Sequence, residues 1–80
     1  MDIFPAFFPL AGRTVVIAGE GEGAEAKARL FDGSPAQIVR LTDAEALDDG
    51  SYRTAALAFV ASPDAEFRVA ATRAARAAGV

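Results

Sequence analysis

The chain has 80 residues, 52% of them hydrophobic and 24% charged, with 8 basic side chains against 11 acidic ones and a formal net charge of −3. That length supports one small domain of marginal stability, because so short a chain buries only about 60% of the surface its unfolded form exposes. The composition is that of a folded globular protein, the acidic balance gives no long-range pull toward nucleic acid, and the lack of cysteine and histidine excludes disulfides, thiolate nucleophiles, imidazole bases and nearly every structural zinc site.

Residues 1–12, MDIFPAFFPLAG, carry Ile3, Phe4, Phe7, Phe8 and Leu10 between prolines that forbid a regular helix. The apolar run falls far short of the roughly 20 residues that span a bilayer, and Asp2, Pro5 and Pro9 set it apart from a signal peptide. It reads as an extended arm laid over the domain, each aromatic worth roughly 1.5–3 kcal/mol when fully buried; the alternative is a partner-binding motif. A cytoplasmic protein with no membrane and no nucleic-acid partner is the matching expectation.

Thr14–Ala18, TVVIA, is a β-branched run that ends at a glycine and reads as a strand buried on both faces. From Glu22 to Asp32 the spacing turns helical, with Ala24, Ala28 and Phe31 inward and Glu22, Glu25, Arg29 and Asp32 outward. Glu25 and Arg29 sit at the favourable i, i+4 spacing. Gly33, Ser34 and Pro35 stop that helix. Ala36–Leu41, AQIVRL, is a second strand. The connection TDAEALDDGSYRT to a third strand, Ala55–Ala61, has room for one helical turn capped by Thr42 or Asp43, but not for a full helix. Ser62, Pro63 and Asp64 then supply a cap, a first-turn proline and a first-turn acid. The last helix points Phe67, Ala70 or Ala71, Ala74 and Ala78 inward, with Arg68, Thr72, Arg73 and Arg76 outward, and closes at Gly79. Strands alternating with helices predict an α/β fold: a partial Rossmann-like domain with a short parallel sheet of about three strands and flanking helices.

The junction between the first strand and helix reads Gly19, Glu20, Gly21, Glu22, Gly23, Ala24, which contains G-x-G-x-x-A between a strand and a helix. In that context the motif cradles a dinucleotide pyrophosphate. Gly19 allows the tight turn, Gly21 leaves room for the phosphates, Ala24 keeps the helix close to the sheet, and the helix N-terminus offers unpaired N–H groups. The competing explanation is a flexible βα junction. Glu20 and Glu22 oppose an anionic ligand and should lower its affinity. Asp43, after the second strand, is placed either to bind ribose hydroxyls or to cap a turn, while Arg40 suits a 2′-phosphate, so NAD and NADP both remain open. Lys27 is placed either to reach a phosphate or to pack its stem on the surface. The serines have no histidine partner for a triad, Asp48-Asp49 reads as a solvated turn, and no residue set suggests a metal.

Residues 1–31 resemble the opening of the bacterial siroheme-synthase family, in which precorrin-2 dehydrogenase is joined to sirohydrochlorin ferrochelatase. The matching residues are Met1, Asp2, Pro5, Phe7, Gly19, Gly21, Ala24, Lys27, Arg29 and Leu30, and Leu57–Val80 is similar to that family's third strand, following turn and helix. The resemblance implies NAD as cofactor, bound at Gly19, Gly21, Glu22, Gly23 and Ala24, at Leu41, Thr42 and Asp43, and at Ser62, which stands where the family has a threonine. It implies hydride transfer from precorrin-2 to NAD⁺ giving sirohydrochlorin, with iron insertion following in the bifunctional proteins, and a tetrapyrrole as substrate of the longer chain. There are departures: Glu20 replaces a glycine, Gly23 replaces a valine, and the stretch between the second and third strands is short. The family's catalytic aspartate matches nothing in residues 1–80, so these form a single NAD(P)-binding Rossmann-like domain expected to stop short of the catalytic segment and to be inactive alone. The alternatives are a non-catalytic dinucleotide-binding module and a self-association module; an open sheet edge makes a homodimer the expected assembly.

Overall fold

In the computed structural model, which describes residues 11–80 and the backbone of Ile3–Phe4 and Phe8–Pro9, those two dipeptides form short antiparallel strands, β1 and β2, with Ile3 opposite Pro9 and Phe4 opposite Phe8. The expected burial of the arm's aromatic side chains lies outside the described residues.

The β-branched run becomes β3 (Thr14–Gly19), the centre of a three-stranded parallel sheet in the order β4-β3-β5, with β4 at Gln37–Leu41 and β5 at Ala55–Ala61. Val15, Val16, Ile17 and Ala18 are all buried, as a strand covered on both faces requires. Helix α1 (Glu22–Leu30) follows β3, and helix α2 (Ala65–Ala77) follows β5. The alternation of β3 residues divides the core between the two faces of the sheet. Val15 packs with Phe31, Ile38, Leu57 and Phe59 on one face. Val16 and Ala18 pack with Leu41, Ala71, Ala74 and Ala75 on the other. The fold is therefore the expected α/β arrangement, a partial Rossmann-like domain.

Two boundaries differ from the sequence reading for physical reasons. Helix α1 ends at Leu30, because Phe31 turns into the core and its N–H bonds back to the Ala28 carbonyl at 3.1 Å. Helix α2 begins at Ala65, with Asp64 rather than Ser62 as its cap: the Asp64 carboxylate accepts from the N–H groups of Glu66 at 3.0 Å and Phe67 at 3.3 Å.

The connection from β4 to β5 holds two short 3-10 segments, Asp43–Leu47 and Asp49–Tyr52. Asp48 caps the second by accepting from Gly50 N–H at 3.1 Å, the turn expected of the Asp48-Asp49 pair. Ala46 and Tyr52 are completely buried in the cluster beneath α2, and the Tyr52 hydroxyl donates to the Ala46 carbonyl. A segment too short for a helix thus covers its part of the sheet with one aromatic ring. Among the described residues, no helix is long and apolar enough to cross a membrane.

Candidate functional site

Because β3 is central, the chain leaves it toward β4 on one side and returns to β5 on the other. Open α/β sheets bind ligands where that order switches, outside the carboxyl ends of the strands. A cleft of about 130 Å³ lies there, lined by Gly19, Glu20, Thr42, Asp43, Ser62, Asp64 and Phe67. Four of the residues expected from the sequence, Gly19, Thr42, Asp43 and Ser62, therefore meet in one place. Leu41 faces the core beneath α2 and does not line the cleft, and neither do Gly21, Glu22, Gly23 and Ala24.

The glycines divide their work. Gly19 is the last residue of β3, at φ +119°, and a Cβ on it would stand 1.8 Å from the Ala61 carbonyl oxygen. Its need is the close approach of β3 and β5, which continues as Glu20 N–H donates to the same oxygen at 3.2 Å. Gly21 caps α1 at φ 92° and ψ −173°, a conformation nearly restricted to glycine. A Cβ there would meet nothing nearer than the Pro63 Cδ at 3.9 Å, so the space in front of the helix is open. No side chain caps α1, which leaves the first-turn N–H groups of Glu22, Gly23 and Ala24 directed outward. The close seating expected of Ala24 is shared: Ala24 is fully buried, and a Cβ on Gly23 would touch the Ala61 Cβ at 3.4 Å.

Several charged side chains are occupied elsewhere. Arg40 bonds Glu25 at 2.9 Å, tying β4 to α1, and this guanidinium holds the Glu25 carboxyl below the usual glutamate range. That partnership replaces the expected Glu25–Arg29 pair, and Arg29 lies 3.7 Å from Glu22 instead. With its guanidinium on Glu25, Arg40 is not presented to a 2′-phosphate at the cleft. Lys27 lies 5.4 Å over the Phe59 ring, so its stem packs rather than reaching toward a phosphate. Asp43 adopts φ 52°, a left-handed conformation that aspartate tolerates, and Thr42 takes the cap position that was the alternative role for Asp43. Ser62 Oγ accepts from Asp64 N–H at 3.1 Å, and the Ser62 carbonyl accepts from Arg68 at 2.6 Å, so this serine fixes the turn into α2.

Glu20, Asp43 and Asp64 give the cleft an acidic wall, with Glu22 exposed at the start of α1. Among the described residues no three His, Cys, Asp or Glu side chains are placed to hold a metal. The donors suited to a dinucleotide are the α1 backbone N–H groups for the diphosphate and the Asp43 carboxylate for ribose hydroxyls. The carboxylates nearby oppose an anion at the first of these. Whole-ligand pockets run to roughly 300–1,000 Å³, so the cleft is too small to enclose a dinucleotide, and the N–H groups at the start of α1 lie outside its lining. Asp64 and Phe67 were missed as lining residues, though Ser62-Pro63-Asp64 already signalled a helix start beside the third strand. No family model, curated protein or solved structure matches the chain.

Proposed function

We propose that the chain is the NAD-binding part of a cytoplasmic enzyme resembling precorrin-2 dehydrogenase. The observation that carries this reading is the uncapped N-terminus of α1, opening behind Gly21 at the switch point of the sheet. NAD⁺, when bound, supplies the hydride acceptor for conversion of precorrin-2 to sirohydrochlorin. The chain's own residues bind and orient it: the N–H groups of Glu22, Gly23 and Ala24 face the diphosphate, and Asp43 receives the ribose hydroxyls. Gly19 and Gly23 keep β3, β5 and α1 in close contact beneath those groups. The occupation of Arg40 by Glu25 favours NAD over NADP.

Calorimetric titration with NAD⁺, followed by competition with adenosine diphosphate, tests the reading. Saturable binding displaced by adenosine diphosphate, with no turnover of precorrin-2 by this chain alone, is the expected outcome. A folded chain that binds neither ligand at about 5 mM, weaker than about 3 kcal/mol of binding free energy, would rule it out. A second reading, a dinucleotide-binding module with no catalytic role in any assembly, is favoured by the short connection from β4 to β5, which holds only two 3-10 segments, and by Glu20 in the glycine turn. It differs in expecting no turnover even when a tetrapyrrole-binding partner domain is supplied.

A further inference from the structure

Helix α2 is buried along one side through Ala71, Ala74 and Ala75, yet its opposite side is not uniformly polar. Val69 is 59% exposed, the most exposed large hydrophobic side chain among the described residues. It borders a shallow depression formed with Ala65, Glu66, Ala70 and Arg73, and a neighbouring one continues to Leu47, itself 45% exposed, and Ala77. Val69 and Leu47 thus flank a low alanine surface bordered by the charges of Glu66, Arg73 and Asp49.

The order of charges on this face identifies what it contacts. Glu66 and Arg73 lie on the same side of α2 with Val69 and Ala70 midway between them, each charge about 5 Å along the axis from the midpoint. A twofold axis through that midpoint, relating two antiparallel helices, sets Glu66 of each copy beside Arg73 of the other, with the Val69 and Ala70 pairs between. Among the described residues neither Glu66 nor Arg73 forms an ion pair within the chain, so both are free to make these contacts. The alanines keep the face low, which permits helix axes to approach to about 8–10 Å. We infer that the outer face of α2 binds a second copy of this chain in an antiparallel helix pair.

The open edge of β5 is the competing surface, since β5 pairs only with β3. The groove beside that edge is lined by Arg68, Arg73 and Arg76 together with Val60, Val69 and Thr72. Joining two copies edge to edge there would bring arginines of one against arginines of the other, which opposes that assembly. On the α2 face the same rotation matches unlike charges. The face shares no lining residue with the cleft at the carboxyl ends of the strands. The contact is small: one helix face covers less than the roughly 800 Å² per partner of a standard interface, so association belongs at about 0.1–1 mM.

Sedimentation equilibrium from low to millimolar concentration tests this, with circular dichroism confirming that each variant is folded. Wild type should show a reversible monomer–dimer equilibrium that weakens with salt. E66R and R73E should each weaken it by about tenfold or more, because each creates two like-charge contacts. Mixed in equal amounts the two variants should associate again, since the two arginines of one then face the two glutamates of the other. A folded wild type that stays monomeric throughout would overturn the inference. So would single reversals that leave association within about twofold, or a mixture that fails to recover it.

Discussion

The turn at Gly19–Ala24 and the connection at Thr42–Thr54 both leave a strand at the carboxyl end of the sheet, yet they are held by opposite means. In the first, the backbone does the work. Gly19 lets two strands meet where a Cβ would collide at 1.8 Å, and Gly21 holds a conformation that leaves the helix end open. In the second, side chains do the work, with Tyr52 wholly buried beneath α2 and its hydroxyl satisfied by Ala46. A ligand that uses main-chain donors suits the first region. The second region cannot open without exposing its ring. The comparison teaches that open main-chain donors sit where the chain is least filled by side chains.

The largest effect should come from Gly19→Ala. The added methyl collides with main chain at Ala61 and the residue keeps φ +119°, so a loss on the order of 5 kcal/mol is expected. That is comparable with the whole stability of roughly 4–12 kcal/mol expected for a domain this size; urea unfolding monitored by circular dichroism should find little folded protein. If the variant melts like wild type, the close approach of β3 and β5 is not required. Next is Tyr52→Ala, expected to lose about 3–5 kcal/mol by leaving a cavity beneath α2. Tyr52→Phe is the sharper version, because it keeps the ring and strands the buried Ala46 carbonyl, for about 1–3 kcal/mol.

Tyr52 also gives an alkaline signature. Burial raises its pKa above the ordinary value of 10.0, so the unfolded chain loses this proton at lower pH than the folded one. Its contribution is therefore complete below the ordinary tyrosine pKa and falls as pH rises through the raised value. Stability measured from neutral to alkaline pH should fall less steeply in Tyr52→Phe; equal slopes would show that the hydroxyl is not confined. At the glycine turn, Glu20→Gln should tighten NAD⁺ binding by about two- to threefold at low salt, and less at high salt, because the removed charge is exposed. An unchanged affinity would mean that Glu20 faces away from the ligand.

The smallest effect is at Glu25. Arg40 lowers its pKa below 4.5, so the pair's contribution is present above the ordinary glutamate value and is lost as pH falls through the lowered one. Carboxyl-carbon NMR should follow Glu25 titrating below 4.5 and returning toward it in Arg40→Met. No movement in that variant would assign the lowering to another charge.

The elements legible in the sequence were those with strong local signals. Thr14–Ala18 is β-branched and unbroken, Ala55–Ala61 is bounded by polar residues, and the helical spacing of Ala24 and Phe31 matches their burial. The glycine turn was legible as a motif, and so was the close seating of Ala24, but the role of Gly19 was not: it serves a strand–strand contact set by Ala61, which lies 42 positions away in the chain. The connection was opaque because 3-10 segments carry no repeating pattern, and Tyr52 between Ser51 and Arg53 looks like a loop residue until its hydroxyl finds Ala46. Charge pairing was legible only in part, since the i, i+4 spacing pointed Glu25 to Arg29 while the sheet brought Arg40 closer. Asp64 lost its obvious first-turn role to become the cap because its carboxylate reaches two N–H groups at once.

The most direct measurement is an NAD⁺ titration of the chain followed through its backbone amide shifts. A cradle at the glycine turn gives saturable shifts centred on Gly19–Ala24 and on Leu41–Asp43, with the amides of Ala46 and Tyr52 unmoved. Saturable shifts centred elsewhere, or none up to millimolar NAD⁺ in a chain whose spectrum is that of a folded protein, would contradict it.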